Sequence, residues 1–191
     1  MQGYDPRRVA NLLLDLADAR GIELCQIKLQ KLLYFADDAY FMRARVPLVA
    51  GDFEAWEYGP VNPTVYQAFK PSGAEPIKFR ATKRDLRTGE TVELEPIEDI
   101  EVHDELVSLL RTHGRLSASQ LVNISHAPGG PWDEARRRSA SGLAIGNIVE
   151  RRNALGTSKP AALAVTSSSD SSRPLAERPY EEEMRRRGTK S

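Results

Sequence analysis

KLQKLLYFADDAYF, Lys28 to Phe41, is the stretch that decides the fold of this chain. Leu29, Leu32, Leu33, Ala36, Ala39 and Tyr40 fall at steps of three and four. That spacing predicts a helix from Cys25 to about Arg43 with one apolar stripe wide enough for a core face. Lys28, Lys31 and Phe35 share a neighbouring face, and Asp37 and Asp38 continue a polar side. Pro47 ends the region. A helix of this kind must lay its stripe against other elements, so a helical domain is built around it.

Working outward, FEAWEYGPVNPTVYQAFK (Phe53 to Lys70) follows. It holds Phe53, Trp56, Tyr58, Tyr66 and Phe69, five of the chain's thirteen aromatic residues. So dense a cluster is either the knot of a core or a surface built to grip something. Phe53, Ala55 and Glu57 alternate with Glu54, Trp56 and Tyr58, a period of two that predicts an extended segment. Gly59-Pro60 is expected to break it. Asn62 then caps and Pro63 starts a helix, with Val65, Tyr66 and Phe69 facing inward.

On the other side of the central helix, Asp5-Pro6 reads as a cap and first helical turn. Val9, Leu12, Leu13 and Leu16 follow, and Gly21 is the stop. Arg7 and Arg8 lie at the unfavourable end of that helix's dipole, so packing must hold it. Ile77 to Leu94 reads as a β-hairpin: Ile77, Phe79 and Ala81 alternate with Lys78 and Arg80, and Thr88-Gly89 makes the turn. A helix over Asp99–His113 turns Leu106, Leu109 and Leu110 inward and stops at Gly114. Ser117-Ala118-Ser119-Gln120 fits a capping box. Trp132 begins a short helix through Arg138, and Ser141 is expected to cap a last helix carrying Ile145, Ile148 and Val149. The fold class is therefore mainly α with a small β element, a compact helical domain over 1–152. Beyond it, SSSDSSRP carries too little apolar mass to fold, and 153–191 reads as a disordered tail with a transient Glu–Arg-paired helix near its end.

Composition narrows the function. The 191 residues suit one domain with appendages. A formal net charge of zero argues against a dedicated nucleic-acid binder. The single cysteine, Cys25, excludes an internal disulfide and a cysteine-rich zinc site. The first twenty residues carry Asp15 and Asp18 and no long apolar run, so neither a secretory signal nor a membrane span is expected. A cytoplasmic location is the expectation.

No catalytic constellation is visible. His103 and His113 stand ten residues apart on one helix, about 15 Å along its axis, too far for a shared metal. His126 precedes a Pro-Gly turn without an evident partner and reads as a structural histidine bonding loop backbone. Cys25 lies near a helix start but has no base. Gly129-Gly130 lacks the Lys-Ser/Thr of a phosphate loop, and the acidic residues show no metal pattern. No cofactor or metal is expected. The Gly114 turn superficially suggests a helix-turn-helix, yet the segment from Ser117 to Ser125 has no Arg or Lys to meet phosphates or guanines.

KLQKLLYFADDAYF, FEAWEYGPVNPTVYQAFK and SHAPGGPW (Ser125 to Trp132) together resemble the Panacea domain, the SocA-like antitoxin family also known as phage-associated or GepA-like proteins. The resemblance spans roughly Asn11 to Arg152; the loop Ala127–Gly130 is longer than the family pattern. It implies a mostly helical domain without enzymatic activity that neutralises a cognate protein toxin by direct binding, the toxin being encoded by an adjacent gene. In one branch of the family it implies an adaptor that delivers the toxin to a ClpXP-type protease, for which the tail would be a tether. A DNA-binding regulator, using the Gly114 turn or the basic hairpin around Lys83, Arg84 and Arg87, is the reading from a different class.

Leu29, Leu32, Leu33 and Ala36 read as core. Trp56 and Tyr66 are expected to knit the extended arm to the central helix, leaving Glu54, Glu57 and Tyr58 exposed. Lys28 and Lys31 read as solvated charge on the helix flank, with an acidic partner as the functional alternative. These residues, with His126 and Trp132, are the candidate partner-binding set.

Overall fold

In a computed structural model, residues 3–140 and 148–151 are described. The central helix, α2 (Gln26–Ala44), follows α1 (Pro6–Asp18). Asp5 caps α1 by accepting from the Arg7 amide at 2.9 Å. The two arginines at its start are used locally: Arg7 pairs with Asp5 at 2.7 Å, and Arg8 donates to the carbonyls of Glu95 and Pro96. Cys25 occupies the N-cap position of α2 without a side-chain bond, and Arg45 ends the helix in the left-handed region.

β1 (Phe53–Trp56) and β2 (Gly59–Val61) form a tight antiparallel hairpin. Gly59-Pro60 therefore continues the pairing instead of breaking it: Ala55 faces Pro60 and Trp56 faces Gly59 across the ladder. Proline is tolerated because β2 is an edge strand. α3 (Pro63–Phe69) follows, capped by Asn62, whose side-chain oxygen accepts from the Val65 amide. A second hairpin, β3 (Thr82–Arg84) with β4 (Thr91–Glu93), is shorter than expected. Ile77 to Ala81 lies outside it because its backbone is satisfied elsewhere. The Ile77 amide donates to the Leu24 carbonyl, and the Asn11 side chain brackets Ala81 with one bond each way.

α4 (Ile100–His113) is capped by Asp99, which also accepts from the Tyr4 hydroxyl. α5 (Ala118–Ser125) carries the Ser117/Gln120 capping box, and α6 (Pro131–Ala140) follows. Ile148-Val149 departs from expectation. It is a strand, β5 (Ile148–Val149), paired antiparallel to the free edge of β1, so the sheet order is β2-β1-β5. Two β-branched residues beside an open edge are better placed in a ladder than in a helix. The rest of the expected last helix, 141–147, and the expected tail, 153–191, lie outside the described residues.

One core runs through α1, α2, α3 and α4 and includes Leu13, Leu29, Leu32, Leu33, Phe69, Leu106 and Leu110. A small second cluster, Trp56, Val61 and Tyr66 with Tyr58 against it, lies beside it. α2 touches α1 and α4 on one side, β2 and α5 on another. This enclosure overrides the one-stripe reading. Ala39 is exposed, whereas Gln26, Gln30, Lys31 and Asp37 are buried.

Candidate protein-docking site

The polar residues of α2 hold the backbone of the β1–β2–α3 arm. Gln26 Nε2 donates to the Tyr66 carbonyl at 3.0 Å. Gln30 Oε1 accepts from the Asn62 amide at 2.9 Å, and its Nε2 donates to the Asn62 carbonyl. Lys31 Nζ donates to the Pro60 carbonyl at 2.9 Å. Buried backbone groups must find partners, and the arm finds its partners on the helix. Gln26 and Gln30 were missed in the sequence. Their signal is a pair of amides at a four-residue spacing within an otherwise apolar helix.

Lys31 is the clearest correction: it is only 1% exposed, not solvated charge on a flank. Burial pulls its ammonium down to about 7 from its ordinary value. The turn above it depends on Gly59, whose φ is +94°. A Cβ there would stand 2.7 Å from Lys31 Cε and would strike the Ser125 hydroxyl. Ser125 donates to the Val122 carbonyl from the end of α5. Lys28, by contrast, is half-exposed and donates to the carbonyls of Glu23 and Gly114; burial lowers its pKa.

His126 and Trp132 stack with ring centroids 3.6 Å apart and planes 10° from parallel. Trp132 Nε1 donates to the Trp56 carbonyl at 2.9 Å, and the Arg136 guanidinium lies 5.9 Å from the Trp132 ring centroid. The expectation that the His126 ring would bond loop backbone is not met at Nε2, which is buried with no hydrogen-bond partner among the described residues. Burial, then the charges of Lys31 and Arg136, lower the imidazole to about 4. It is neutral at physiological pH.

Trp56 and Tyr66 are both buried and meet edge-to-face at 5.2 Å. They bind the two limbs of the arm to each other, while the link to α2 runs through Gln26, Gln30 and Lys31. Glu54 accepts from Trp56 Nε1 at 2.7 Å. Glu54 and Tyr58 are half-buried and only Glu57 is exposed. The structure thus brings Lys31, Glu54, Trp56, Tyr58, Tyr66, His126 and Trp132 into one knot with a half-exposed aromatic rim. Lys28 lies apart, beside the α4–α5 turn.

A buried carboxylate and a part-buried guanidinium complete the frame. Asp37, expected on a polar face, is 2% exposed and accepts from the Leu48 and Val49 amides. Arg151 Nε donates to its other oxygen at 2.8 Å. Among the described residues no cluster of three or more His, Cys, Asp or Glu is placed to hold a metal, and no helix is long and apolar enough to cross a membrane. The basic groups around the second hairpin face carboxylates: Lys78 meets Glu23, Arg80 meets Asp15 and Asp18, and Lys83 lies 3.9 Å from Glu95. Arg84 donates to the Gly89 carbonyl.

The segments that meet in this knot, the central helix, the Tyr58-Gly59-Pro60 turn and the Ser125–Trp132 stretch, are those that carry the family motifs. The sequence model of the family described as "Antitoxin SocA-like, Panacea domain" matches residues 29–133, from the first leucine of the stripe to just past Trp132. The chain belongs to the SocA-like, Panacea-domain antitoxin family. It is 46% identical to Antitoxin SocA of Caulobacter vibrioides (strain NA1000 / CB15N) over 145 residues, which are 76% of this chain and 77% of that protein. No solved structure matches the chain. An antitoxin role and a cognate toxin follow from the family.

Proposed function

We propose that this antitoxin acts without catalysis, by binding its toxin directly through the rim of the knot. The observation that carries the reading is the convergence of the family motifs on half-exposed aromatic rings around Trp56: Tyr58 packs against the Trp56 cluster, and the His126–Trp132 stack bonds the Trp56 carbonyl, with Arg136 over Trp132. Aromatic and arginine side chains held rigidly at a surface are the usual anchors of protein interfaces. The neutral His126 and the half-buried Trp132 offer a flat apolar face that costs little to desolvate. A stable complex would bury at least about 1,200 Å² in total, so the patch is its centre and neighbouring surface its periphery. Such a complex forms in the cytoplasm.

The test is co-expression with the product of the adjacent reading frame. That product should arrest growth alone and be silenced by this chain, and Trp132→Ala with Tyr58→Ala should abolish silencing while leaving the protein soluble. A harmless neighbour, or arrest that persists beside the wild-type chain, would sink the reading. Repeating the assay in a host lacking ClpXP separates occlusion from protease delivery: occlusion persists there, delivery does not. We take the domain to be 1–152, and a chain ending there should bind the toxin as the full chain does.

A further inference from the structure

We propose that Lys31 is the receptor for a carboxylate side chain of the bound toxin, making the knot an anion site that the partner completes. The inference rests on the toxin-binding reading above and names the chemistry of its central contact. An ammonium has three hydrogens to donate. Among the described residues Lys31 Nζ has a single acceptor, the Pro60 carbonyl. Among the described residues no carboxylate lies within ion-pair reach of it, although Lys78 and Lys83 both have one. A buried charge without a counter-charge is costly and is normally paired.

Bracing the Pro60 carbonyl does not account for a lysine. The same helix braces the Asn62 and Tyr66 carbonyls with the neutral amides of Gln30 and Gln26. A neutral donor would serve at Pro60 too, so the charge itself needs another reason. A second polar atom stands by: His126 Nε2, buried and unpartnered among the described residues. Gly59 allows the close approach, since the position its Cβ would take is only 3.0 Å from Nζ.

Nζ is buried in this conformation, and His126, whose imidazole feels the Lys31 charge, stands near it. Trp132 is fixed by its stack on His126 and one bond to the Trp56 carbonyl. The connection between α5 and α6 turns at Gly129, with φ +71°. Outward rotation of the two rings would open a path to the ammonium. A single recessed cation suits a carboxylate; a phosphate would call for more donors. The other charged groups on the surrounding elements are Lys28, Asp37, Asp38 and Arg43 on α2, Asp133, Glu134, Arg136, Arg137 and Arg138 on α6, and Glu54 and Glu57 on the β1–β2 limb. Gain of a counter-charge on binding would therefore register at Lys31, whose ammonium lies at about 7 in the free protein.

The test uses the full chain, the variant Lys31→Gln, and the product of the adjacent reading frame. Lys31→Gln keeps a donor for Pro60 and removes the charge. It should fold, and its affinity for the toxin should fall by at least about tenfold with loss of growth rescue. Calorimetry of the wild-type complex near pH 8, in buffers of different ionisation enthalpy, should show uptake of close to one proton as Lys31 is charged by its new neighbour. A folded Lys31→Gln that binds as well as wild type overturns the proposal, as does a wild-type complex that takes up no proton. If Lys31→Gln fails to fold, the proton count alone decides. If the wild-type chain does not silence the toxin, the functional reading falls and this inference with it.

Discussion

Asp37 and Arg151 are 114 positions apart in the chain and meet at 2.8 Å, carboxylate to guanidinium. The same arginine donates to the carbonyls of Val49 and Gly51. Asp37 also receives the Leu48 and Val49 amides. One carboxylate thus ties together the central helix, the loop before β1 and the segment just after β5. Asp37→Ala leaves two buried amides and a guanidinium without their acceptor. The expected loss is about 3–5 kcal/mol, read as a fall in the urea midpoint. Arg151→Ala should cost less, about 1–3 kcal/mol, because its side chain keeps 20% exposure and water replaces part of what is lost. A chain ending at residue 147 should resemble Arg151→Ala or be worse, since β5 goes with it.

Gly59 is the position least open to substitution. Its φ of +94° disfavours any side chain, and a Cβ would press on Lys31 Cε and the Ser125 hydroxyl. Strain of the backbone alone costs about 1–3 kcal/mol. Gly59→Ala should therefore lower the melting temperature and shift the emission of Trp56 and Trp132, which report on either side of the turn. Gly129→Ala, also at positive φ but with open space around it, should lower stability without the spectral change. Equal spectra for the two variants would contradict the contact account.

The helices were legible because their signals are local. Asp5-Pro6, Asn62-Pro63 and the Ser117/Gln120 box each fix a start within a few residues, and the leucine spacing fixes which face turns in. The aromatic knot was legible as a cluster but not as a shape. The strand partner of β1 comes from nearly a hundred residues downstream, and no local pattern announces a two-residue strand. Lys31 and Asp37 were misread for one reason. A single stripe implies one buried face, whereas α2 is enclosed by β2 and α5 as well as by α1 and α4. The number of neighbours a helix will have is a property of the whole fold. Polar residues on its second buried face look like surface until the backbone they satisfy is in view.

The two tryptophans should behave differently. Trp56 is 3% exposed and meets Tyr66 edge-to-face, so Trp56→Ala removes a core ring at a cost of about 3–5 kcal/mol. Trp132→Phe keeps a ring for His126 to stack on and loses only the bond to the Trp56 carbonyl, about 1 kcal/mol. Chemical denaturation should rank them in that order by a wide margin. A Trp132→Phe variant as unstable as Trp56→Ala would show that the His126–Trp132 pair is part of the core rather than its rim.

Lys31 gives the free protein a pH signature. Its folded value, about 7, lies below the ordinary lysine value of 10.5, so the unfolded chain binds more protons between those limits and stability rises with pH there. Below about 7 the penalty is present in full, because the folded protein must charge a buried amine. From pH 7 to pH 9 the gain in unfolding free energy is about 2–3 kcal/mol. His126 acts in the same sense in a lower window: its imidazole is depressed to about 4 from 6.5, so stability is lost as the pH falls from 6.5 toward 4. The two windows do not overlap, which lets one titration separate them. Urea unfolding of wild type and Lys31→Gln, measured at half-unit steps from pH 5 to pH 9, should give curves that converge or cross above pH 7, because only the wild type gains stability on deprotonating residue 31, while below pH 6.5 the variant should be the flatter, because the Lys31 charge that helps depress His126 is gone. Parallel curves across the whole range would mean that residue 31 keeps an ordinary lysine value, and that water or a carboxylate reaches Nζ in the folded chain.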